Sequence, residues 1–392
     1  MEWLGSPNPR KASFRTILVA TVTLSVTFTL ICQRLFFGTT TPLAPLPSPG
    51  DENFAKPLPP LSCPPQREAI PNIVHYVYIL KENVTDFHFE FKHFLSVYAS
   101  HLHLQPDTIY LHTNAPTDAL ERARAGQFGK WNRLLFNHFP QLQINHVSPP
   151  AAAANGKEIT TIEHKSDFVR PQIVHTFGGL YLDFDAHPLR DIRVLRESGF
   201  NNIFGRQAHG EVNNGVFMAR KETLLMEIWD REMNRVYNGD WSSHGNGVLT
   251  RIAPRLMSIP GEVLVMEQDA LQPGSWEVGD NINLFGLHDD VASNLEGISD
   301  GDALPEIREE LTDRWVHPER FPRWERDYAG TYILHAFDPG RNANPVEGFD
   351  HVTPRYVLER RSNFARALYP VVKHMYDAGL VSINDTYNGE GL

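Results

Sequence analysis

The chain has 392 residues, and its 41% hydrophobic content is enough for one large domain or two small ones. Acidic residues outnumber basic ones by 47 to 36, and the net charge of −11 argues against nucleic-acid binding, which depends on Lys and Arg neutralising phosphates. The 2 cysteines, Cys32 and Cys63, exclude a disulfide framework and a cysteine-based zinc site. Any metal must therefore be bound by carboxylates and histidines.

Residues 17–32 contain no charged residue, and together with Leu35, Phe36 and Phe37 after Gln33-Arg34 they predict a membrane anchor over residues 17–37, a length close to that of a membrane-spanning helix. Arg10, Lys11 and Arg15 precede it, so the positive-inside rule predicts a cytoplasmic tail over residues 1–16 and a lumenal remainder. A cleaved signal peptide is the alternative.

A proline-rich segment follows the predicted anchor. Residues 38–70 are predicted to form an extended stem that carries a globular lumenal domain, residues 71–392. Cys63 lies in the stem and either links two chains or stays free, so a homo-oligomer is left open. Sequons at Asn83 and Asn384 are consistent with a lumenal glycoprotein.

Strand-like and helix-like segments alternate through the first half of the globular part. Strands are predicted at residues 73–79, 108–112, 142–147 and 180–182. Helices are predicted at residues 87–104, 118–125 and 162–177, and Pro171 should kink the last one or shift its start. This alternation predicts an α/β fold with a mainly parallel sheet, in which ligands bind beyond the carboxyl ends of strands.

The most informative segment is a buried strand that leads from Gly178-Gly179 into Asp183-Phe184-Asp185. Carboxylates at i and i+2 of an extended chain point the same way, and two like charges repel unless a cation lies between them. A divalent ion with oxygen ligands is the simplest partner, and it can neutralise the charge of a departing diphosphate. A pair of solvated turn aspartates is the alternative for this motif alone.

Asp167 and Arg170 lie one helix upstream, and their spacing of three residues puts them on one helix face. They either form an intrahelical ion pair or both point to the mouth of the same strand. In the second case Asp167 would bind sugar hydroxyls and Arg170 a phosphate or the sugar.

Together these segments resemble glycosyltransferase family 32, the DXD sugar-transferase family. The resemblance is carried by Ser166-Asp167, Arg170, residues 178–185 and Pro188-Leu189, with further similarity at residues 70–76, 213–219 and 244–250. The family includes fungal Golgi mannosyltransferases, inositol-phosphoceramide mannosyltransferases and vertebrate α-1,4-glycosyltransferases. It implies a GT-A fold, a divalent cation that is usually Mn²⁺, a nucleotide-sugar donor and retention of anomeric configuration.

The resemblance also implies roles for individual residues. The catalytic candidates are Asp183, Asp185 and Arg170, and the metal candidates are Asp185, Asp183 and His335. The donor-binding candidates are Asp167, Arg170, Asp183, His75, Tyr76, Asn213 and Asn214. Alternatives are a strand-end role for His335, core packing for His75 and Tyr76, and a turn cap for the two asparagines. The Ser-Trp pair that follows the C-terminal histidine in the family is absent here.

The leading hypothesis is a metal-dependent retaining glycosyltransferase of the Golgi or ER membrane, with a single-pass type II topology. It would move a hexose from GDP-mannose or a UDP-sugar to a glycan or glycolipid acceptor. The sequence offers no general base near the two aspartates except Asp167. Because an inverting enzyme needs a general base on the acceptor side, this also favours retention.

One alternative is an aspartate-nucleophile phosphatase, with Asp289-Asp290 as its second acidic pair. Such enzymes have Thr or Ser where His187 stands. A non-catalytic carbohydrate-binding relative with structural Ca²⁺ is the other alternative.

Overall fold

A twisted sheet with helices on both faces forms the centre of this computed structural model, which describes residues 68–82, 84–307, 312–337, 339 and 345–390. Within these residues the main sheet has seven strands: β1 Ile73–Tyr78, β2 Thr108–Thr113, β3 Leu142–His146, β4 Gly179–Leu182, β6 Asn202–Arg206, β7 Val212–Ala219 and β8 Val263–Met266. Two further strands, β5 Ala186–Pro188 and β9 Ile333–His335, pair with each other in a separate antiparallel ribbon.

The strand order in the main sheet is β3-β2-β1-β4-β7-β6-β8. Only β7 is antiparallel to its two neighbours, so the sheet is mainly parallel, as the alternation of elements predicts. The chain order reverses between β1 and β4, and in such sheets this is where ligands bind.

The first eight helices among the described residues are α1 Phe91–Leu104, α2 Thr117–Arg124, α3 Lys130–His138, α4 Ile162–Phe177, α5 Arg193–Arg196, α6 Leu224–Val236, α7 Asn246–Leu256 and α8 Gln268–Leu271. The remaining ones are α9 Val278–Phe285, α10 Asp313–Val316, α11 Pro354–Glu359 and α12 Asn363–Asp377. Single-turn 3₁₀ helices cover Ala208–Gly210 and Pro318–Arg320.

Alternate residues of β4 pack into two different hydrophobic clusters. Leu180 and Leu182 join the cluster that contains the buried side chains of α1 and α12. Tyr181 joins the cluster formed with α4, α6 and α7. Since side chains of a strand alternate between faces, β4 is buried on both sides, and only its carboxyl end is left to present polar groups.

Two glycines make the tight turn that feeds β4. Gly178 and Gly179 have φ of 64° and 115°, which side chains with a Cβ rarely adopt. A Cβ on Gly179 would also lie 2.5 Å from the carbonyl oxygen of Ile73. The glycine pair therefore lets α4 end directly against β1, which fixes where β4 delivers its two aspartates.

The strands and helices predicted for residues 73–182 are confirmed, with changes at their ends. The helix predicted over residues 162–177 is confirmed, and Pro171 does not shift its start, since α4 begins at Ile162 and continues past the proline to Phe177. An interior proline costs a helix about 3 kcal/mol. Here the buried neighbours Phe168 and Val174 anchor the helix on both sides of it.

Among the described residues, no helix is both long and apolar enough to cross a membrane. The predicted cytoplasmic tail and the anchor over residues 17–37 lie outside the described residues, as do residues 38–67 of the stem, Cys63 and Asn83. Asn384 is described, and its side chain is exposed.

Candidate active site

Two carboxylates and an imidazole meet at the carboxyl end of β4. Ligand-type atoms of Asp183, Asp185 and His335 all lie within 4.8 Å of one another, and His335 Nε2 is 3.1 Å from Asp185 Oδ1. The β5–β9 ribbon brings His335 there, because Ala186 pairs with His335 and the Ala336 amide donates to the Asp185 carbonyl at 2.8 Å. We refer to these three side chains as the acidic triad.

Arg170 connects α4 to the acidic triad. Its Nη2 lies 3.0 Å from Asp167 Oδ1 and 3.3 Å from Asp183 Oδ1, and its Nη1 donates to the Asn214 carbonyl at 2.9 Å. Both sequence-based alternatives are thus realised together, since the intrahelical ion pair also faces the end of β4. Only 6% of the Arg170 side chain is exposed, so its donors orient Asp183 from inside the protein.

Tyr181 also holds the Asp183 carboxylate in place. Its hydroxyl donates to Asp183 Oδ1 at 2.7 Å, and the Arg170 guanidinium lies 4.6 Å from its ring centroid. Burial raises the pKa of Tyr181 well above its usual value, so the phenol stays a donor. The sequence analysis missed Tyr181, because an aromatic residue in a buried strand predicts core packing.

Asp167 is held by three elements. Its Oδ1 accepts from Arg170 and from Asn214 Nδ2 at 3.0 Å, and its Oδ2 lies 2.9 Å from His244 Nε2. Burial by itself would raise the pKa of Asp167, but the charge of Arg170 and the hydrogen bond from His244 outweigh it and lower that pKa. The sequence analysis noted His244 only within a similar segment, not as a site residue.

Asn213 and Asn214 lie within β7 rather than before it. Asn213 donates to the Gln207 side chain and accepts from the Gly215 amide, so it fixes the start of β7. Asn214 reaches Asp167, and its amide donates to Asn246 Oδ1 at 2.9 Å. Asn214 is therefore brought to the site, and Asn213 supports it.

His75 and Tyr76 lie in the buried core. His75 is fully buried, with Nδ1 2.9 Å from His112 Nε2 and Nε2 2.7 Å from the Gly178 carbonyl. Tyr76 bonds Ser100 at 2.7 Å and stacks on Phe184. The core-packing alternative is correct for both, because β1 is covered by helices on each face. His187 is also buried, in β5, and burial lowers its pKa to about 3.

The charges of this site favour a bound cation. Asp167, Asp183 and Asp185 face the single guanidinium of Arg170, and burial together with the charge of Asp185 raises the pKa of Asp183. A Cβ on Gly215 would lie 2.6 Å from Asp183 Oδ2 and from His335 Cε1, so the glycine keeps this space open. Two carboxylates and one imidazole suit a divalent ion such as Mn²⁺.

A cavity of about 400 Å³ opens beside Asp185. Most of its wall comes from the second half of the chain, including Phe349 and Phe364, and its polar side carries Glu90 and Asp350. Two carboxylates besides Asp167 therefore share a cavity wall with Asp185, although the sequence offers no general base near the two aspartates except Asp167. Glu90 and Asp350 are far from Asp185 in sequence, and only the tertiary fold brings them together.

The second acidic pair considered for a phosphatase has partners outside the acidic triad. Asp289 pairs with Arg361, and Asp290 accepts from Trp324 Nε1 at 3.0 Å. Neither aspartate belongs to the acidic triad. The geometry gives no support to a phosphatase.

Residues 93–207 match the family model described as "Glycosyltransferase sugar-binding region containing DXD motif". That region contains Asp167, Arg170, Asp183 and Asp185. The region that carries these four residues therefore matches the DXD glycosyltransferase family. Within it the four charged groups come from α4 and from the segment that follows β4, whereas Asn214, His244 and His335 lie beyond the matched region.

The chain is also similar to curated proteins. It is 24% identical over 227 residues to glucan organizing enzyme 1 of Cryptococcus neoformans var. grubii. That alignment covers 54% of this chain and 56% of the relative. It is 34% identical over 96 residues to lactosylceramide 4-alpha-galactosyltransferase of Pongo pygmaeus, which covers 24% of this chain and 41% of that protein. The chain thus spans about half the length of the curated relatives that it matches.

Solved structures of glycosyltransferases show a weak likeness. GlyE of Streptococcus pneumoniae TIGR4 aligns with a TM-score of 0.36 and 10% identity over 80% of this chain and 64% of GlyE. The galactosyltransferase LgtC, in complex with donor and acceptor sugar analogues, aligns with a TM-score of 0.35 and 11% identity over 77% of this chain and 95% of LgtC. Likeness at this level supports no argument about mechanism.

Proposed function

We propose that the protein is a metal-dependent retaining glycosyltransferase with a GT-A fold. It transfers a hexose from GDP-mannose or a UDP-sugar to a glycan or glycolipid acceptor. The observation that carries this proposal is the acidic triad at the carboxyl end of β4, inside and beside a DXD glycosyltransferase region. The mainly parallel sheet with its order reversal at β1 and β4 supports the fold assignment.

Each residue of the site has a distinct task in this proposal. Asp185, Asp183 and His335 would hold the cation, with Mn²⁺ as the expected ion. When bound, the cation supplies positive charge opposite the diphosphate of the donor. Arg170 keeps the Asp183 carboxylate in place, and Asp167 keeps Arg170 in place through their 3.0 Å contact.

The cavity beside Asp185 is proposed as the acceptor side of the site. Asp185 belongs both to the acidic triad and to the cavity wall, so an acceptor in the cavity would be next to the group that holds the cation. Phe349 and Phe364 suit the apolar face of a sugar ring, and Glu90 and Asp350 can accept hydrogen bonds from its hydroxyls. The names of the two curated relatives fit a glucan and a glycolipid acceptor, respectively.

Retention of configuration is proposed from the family resemblance. In a front-face reaction the departing diphosphate accepts the proton of the acceptor hydroxyl, so no protein base is required. An inverting reaction would use a carboxylate on the acceptor side, and Glu90 and Asp350 are the groups available for it. NMR of the first product formed from an α-linked donor distinguishes the two, and a β linkage would refute retention.

The proposed location is the Golgi or ER membrane, with residues 17–37 as a type II signal anchor and the catalytic domain in the lumen. This rests on the uncharged segment and the basic residues before it. A C-terminal tag on the full chain should resist protease in sealed microsomes. Digestion of the tag without detergent would refute this topology.

The proposed activity is tested first with the intact protein. The full chain, supplied with Mn²⁺ and a panel of GDP- and UDP-sugars, should hydrolyse or transfer one of them, and EDTA should stop the reaction. Failure with every donor in the presence of Mn²⁺ would contradict the proposal.

Asp185→Asn should remove most turnover and leave the melting temperature nearly unchanged. The substitution keeps the shape of the side chain but removes a charge that helps to bind the cation, a loss of several kcal/mol of barrier stabilisation. Asp191→Asn is the matched control, because Asp191 is exposed and pairs with Arg193 outside the triad. Equal rates for both variants, measured at saturating donor, would refute the metal role of Asp185.

A further inference from the structure

The imidazole of His335 lacks the second hydrogen bond that metal-binding histidines normally make. Such a histidine usually donates its other ring N–H to a carboxylate, a carbonyl or water, which fixes the orientation of the ring. In His335, Nε2 lies 3.1 Å from Asp185 Oδ1, whereas Nδ1 is buried and has no partner among the described residues. Only 4% of the side chain is exposed. The orientation of this ring must therefore be fixed by packing.

Phe337 covers one face of the His335 ring. The two ring centroids lie 4.1 Å apart and the ring planes are inclined by 22°, which is a stacked arrangement. On the Phe337 ring also packs Trp276, at an angle of 71° and with the centroids 5.7 Å apart. Rotation of the imidazole about its Cβ–Cγ bond would break the stack with Phe337, so this contact resists such rotation.

The backbone at Phe337 has an uncommon conformation that allows this stack. Residues two apart in an extended strand are separated by about 6.6 Å, more than the distance between the two ring centroids. Phe337 follows the end of β9 and has φ of 47°, a left-handed conformation that is rare for a bulky side chain. Strain of this kind persists only where the surrounding structure imposes it, and it clusters at functional sites.

We propose that Phe337 is a positioning residue of the cation site, whose ring holds the His335 imidazole with Nε2 directed towards Asp185. The inference rests on the proposed function, because it takes the acidic triad as the site of a divalent cation. A ring that is fixed before binding loses no further freedom when the cation arrives, whereas a rotating ring does. Without the stack, the triad should therefore bind the cation more weakly, although Phe337 supplies no ligand atom itself.

Binding of Mn²⁺ alone to the full chain, measured by isothermal calorimetry without any donor, tests this proposal. Phe337→Asn removes the ring, and asparagine adopts a left-handed φ more readily than phenylalanine does. We expect this variant to bind Mn²⁺ about tenfold more weakly, as when a metal-binding histidine loses an outer-shell partner. Phe337→Tyr keeps both the flat ring and the backbone strain, so it should bind Mn²⁺ as the wild type does.

Phe128→Asn is the matched control. Phe128 also has a left-handed φ, of 65°, but its ring packs against His88 and not against the triad. The same substitution in the same backbone conformation should therefore leave the Mn²⁺ affinity unchanged. Phe337→Leu is a second test variant, because it keeps apolar volume at this position and serves if the asparagine variant does not fold. It should also weaken Mn²⁺ binding, since leucine has no flat face, and melting temperatures show which variants are folded.

Two results would overturn the proposal and leave the proposed function in place. One is binding of Mn²⁺ by folded Phe337→Asn or Phe337→Leu that is as tight as in the wild type. The other is an equal loss of affinity in Phe337→Tyr or in Phe128→Asn, because the loss would then not depend on a flat ring against His335.

Failure of the proposed function would look different. A wild-type chain that binds no Mn²⁺, or that binds it as tightly after Asp185→Asn, would refute the metal role of the acidic triad and this inference with it. The calorimetric readout needs no turnover, so an untested donor or acceptor does not affect it.

Discussion

Gly215 is the residue on which the shape of the acidic triad depends most closely. It lies in β7 opposite the end of β4, and its carbonyl accepts from the Asp183 amide at 2.8 Å. Its backbone has an ordinary negative φ, so an alanine there meets no conformational strain. Any effect of a methyl group at this position must come from its contact with Asp183 and His335.

Gly215→Ala should lower turnover about a hundredfold. The new methyl would lie 2.6 Å from atoms of both Asp183 and His335, so at least one of the two side chains must move by several tenths of an ångström. Displacements of this size at a reacting centre are costly in rate. Donor turnover and the melting temperature should be measured together, because overpacking also costs about 1–3 kcal/mol of stability.

Gly274→Ala is the control for that substitution. Gly274 has no atom within 4 Å of its ideal Cβ position and has no positive φ. Its variant should keep both activity and stability. If Gly215→Ala were as active as Gly274→Ala, the close fit between Gly215 and the triad would have no functional meaning.

At the residue scale, the charged residues of the site could be predicted from the sequence, but the residues that hold them in place could not. Asp167, Arg170, Asp183 and Asp185 could be found because charged residues stand out beside a buried strand. Tyr181 and His244 could not, since a tyrosine in a strand and a histidine in a loop have common alternative roles. The contacts that give them a role are tertiary.

At the element scale, α12 shows how a helix cap supports the cavity beside Asp185. Ser362 Oγ accepts from the Ala365 amide at 3.1 Å and shares a hydrogen bond of 2.7 Å with Tyr356 Oη. Phe364, in the first turn of the helix, lines that cavity. The cap thus fixes the position of an aromatic wall of the proposed acceptor site.

Ser362→Ala should lower the free energy of unfolding by about 1–2 kcal/mol. The variant loses the N-cap acceptor and leaves the buried Tyr356 hydroxyl with one partner fewer. Urea denaturation measures the change. Ser258→Ala, which removes an exposed hydroxyl that donates to the Arg255 carbonyl, should change stability by less than about 0.5 kcal/mol. Equal losses in both variants would contradict the role of the cap.

Which elements the sequence predicts depends on their length. Strands and helices of the first half have clear periodic patterns, and their predicted ranges agree with the structure to within a few residues. The strands β5 and β9 have three residues each, too few for a pattern, although their pairing brings His335 to the site. The helix α4 continues through Pro171, because its packing outweighs the local preference of the proline.

At the scale of the whole molecule, buried histidines make the stability dependent on pH. Burial lowers the pKa of His75 from 6.5 to about 4, and burial with the neighbouring charge of His75 lowers the pKa of His112 to about 2. Both rings stay neutral in the folded state well below the pH at which they take up protons in the unfolded chain. The stability that the neutral rings contribute is therefore complete above about pH 6.5, and it is lost as the pH falls towards their pKa values in the folded state.

The free energy of unfolding should fall by about 1.4 kcal/mol per pH unit for each of these histidines between about pH 6 and 4.5. In His75→Gln this slope should be shallower by roughly 1.4 kcal/mol per pH unit, because Gln takes up no proton in the unfolded state. Denaturant titrations across this range give the slopes, and a slope for His75→Gln equal to that of the wild type would show that His75 does not contribute.

The overall class was predictable from the sequence, but the second half of the chain was not. Alternation of strands and helices indicated a mainly parallel α/β sheet, and the order in the structure agrees. Beyond Gly261 every described helix except α12 has eight residues or fewer and the segments between them are irregular, so little periodicity marks them. That half forms most of the wall beside Asp185, which is why this wall could not be foreseen.

The position of His335 also has a consequence for biosynthesis. Asp185 and His335 are separated by about 150 residues, a long-range contact of the kind that forms late in folding. A nascent chain carries both aspartates long before the ribosome reaches the third member of the triad. In the proposed metal site, a cation would be bound tightly only once β9 has paired with β5. By binding a chain that contains His335 more strongly than one that stops short of it, the cation would then hold β9 against β5.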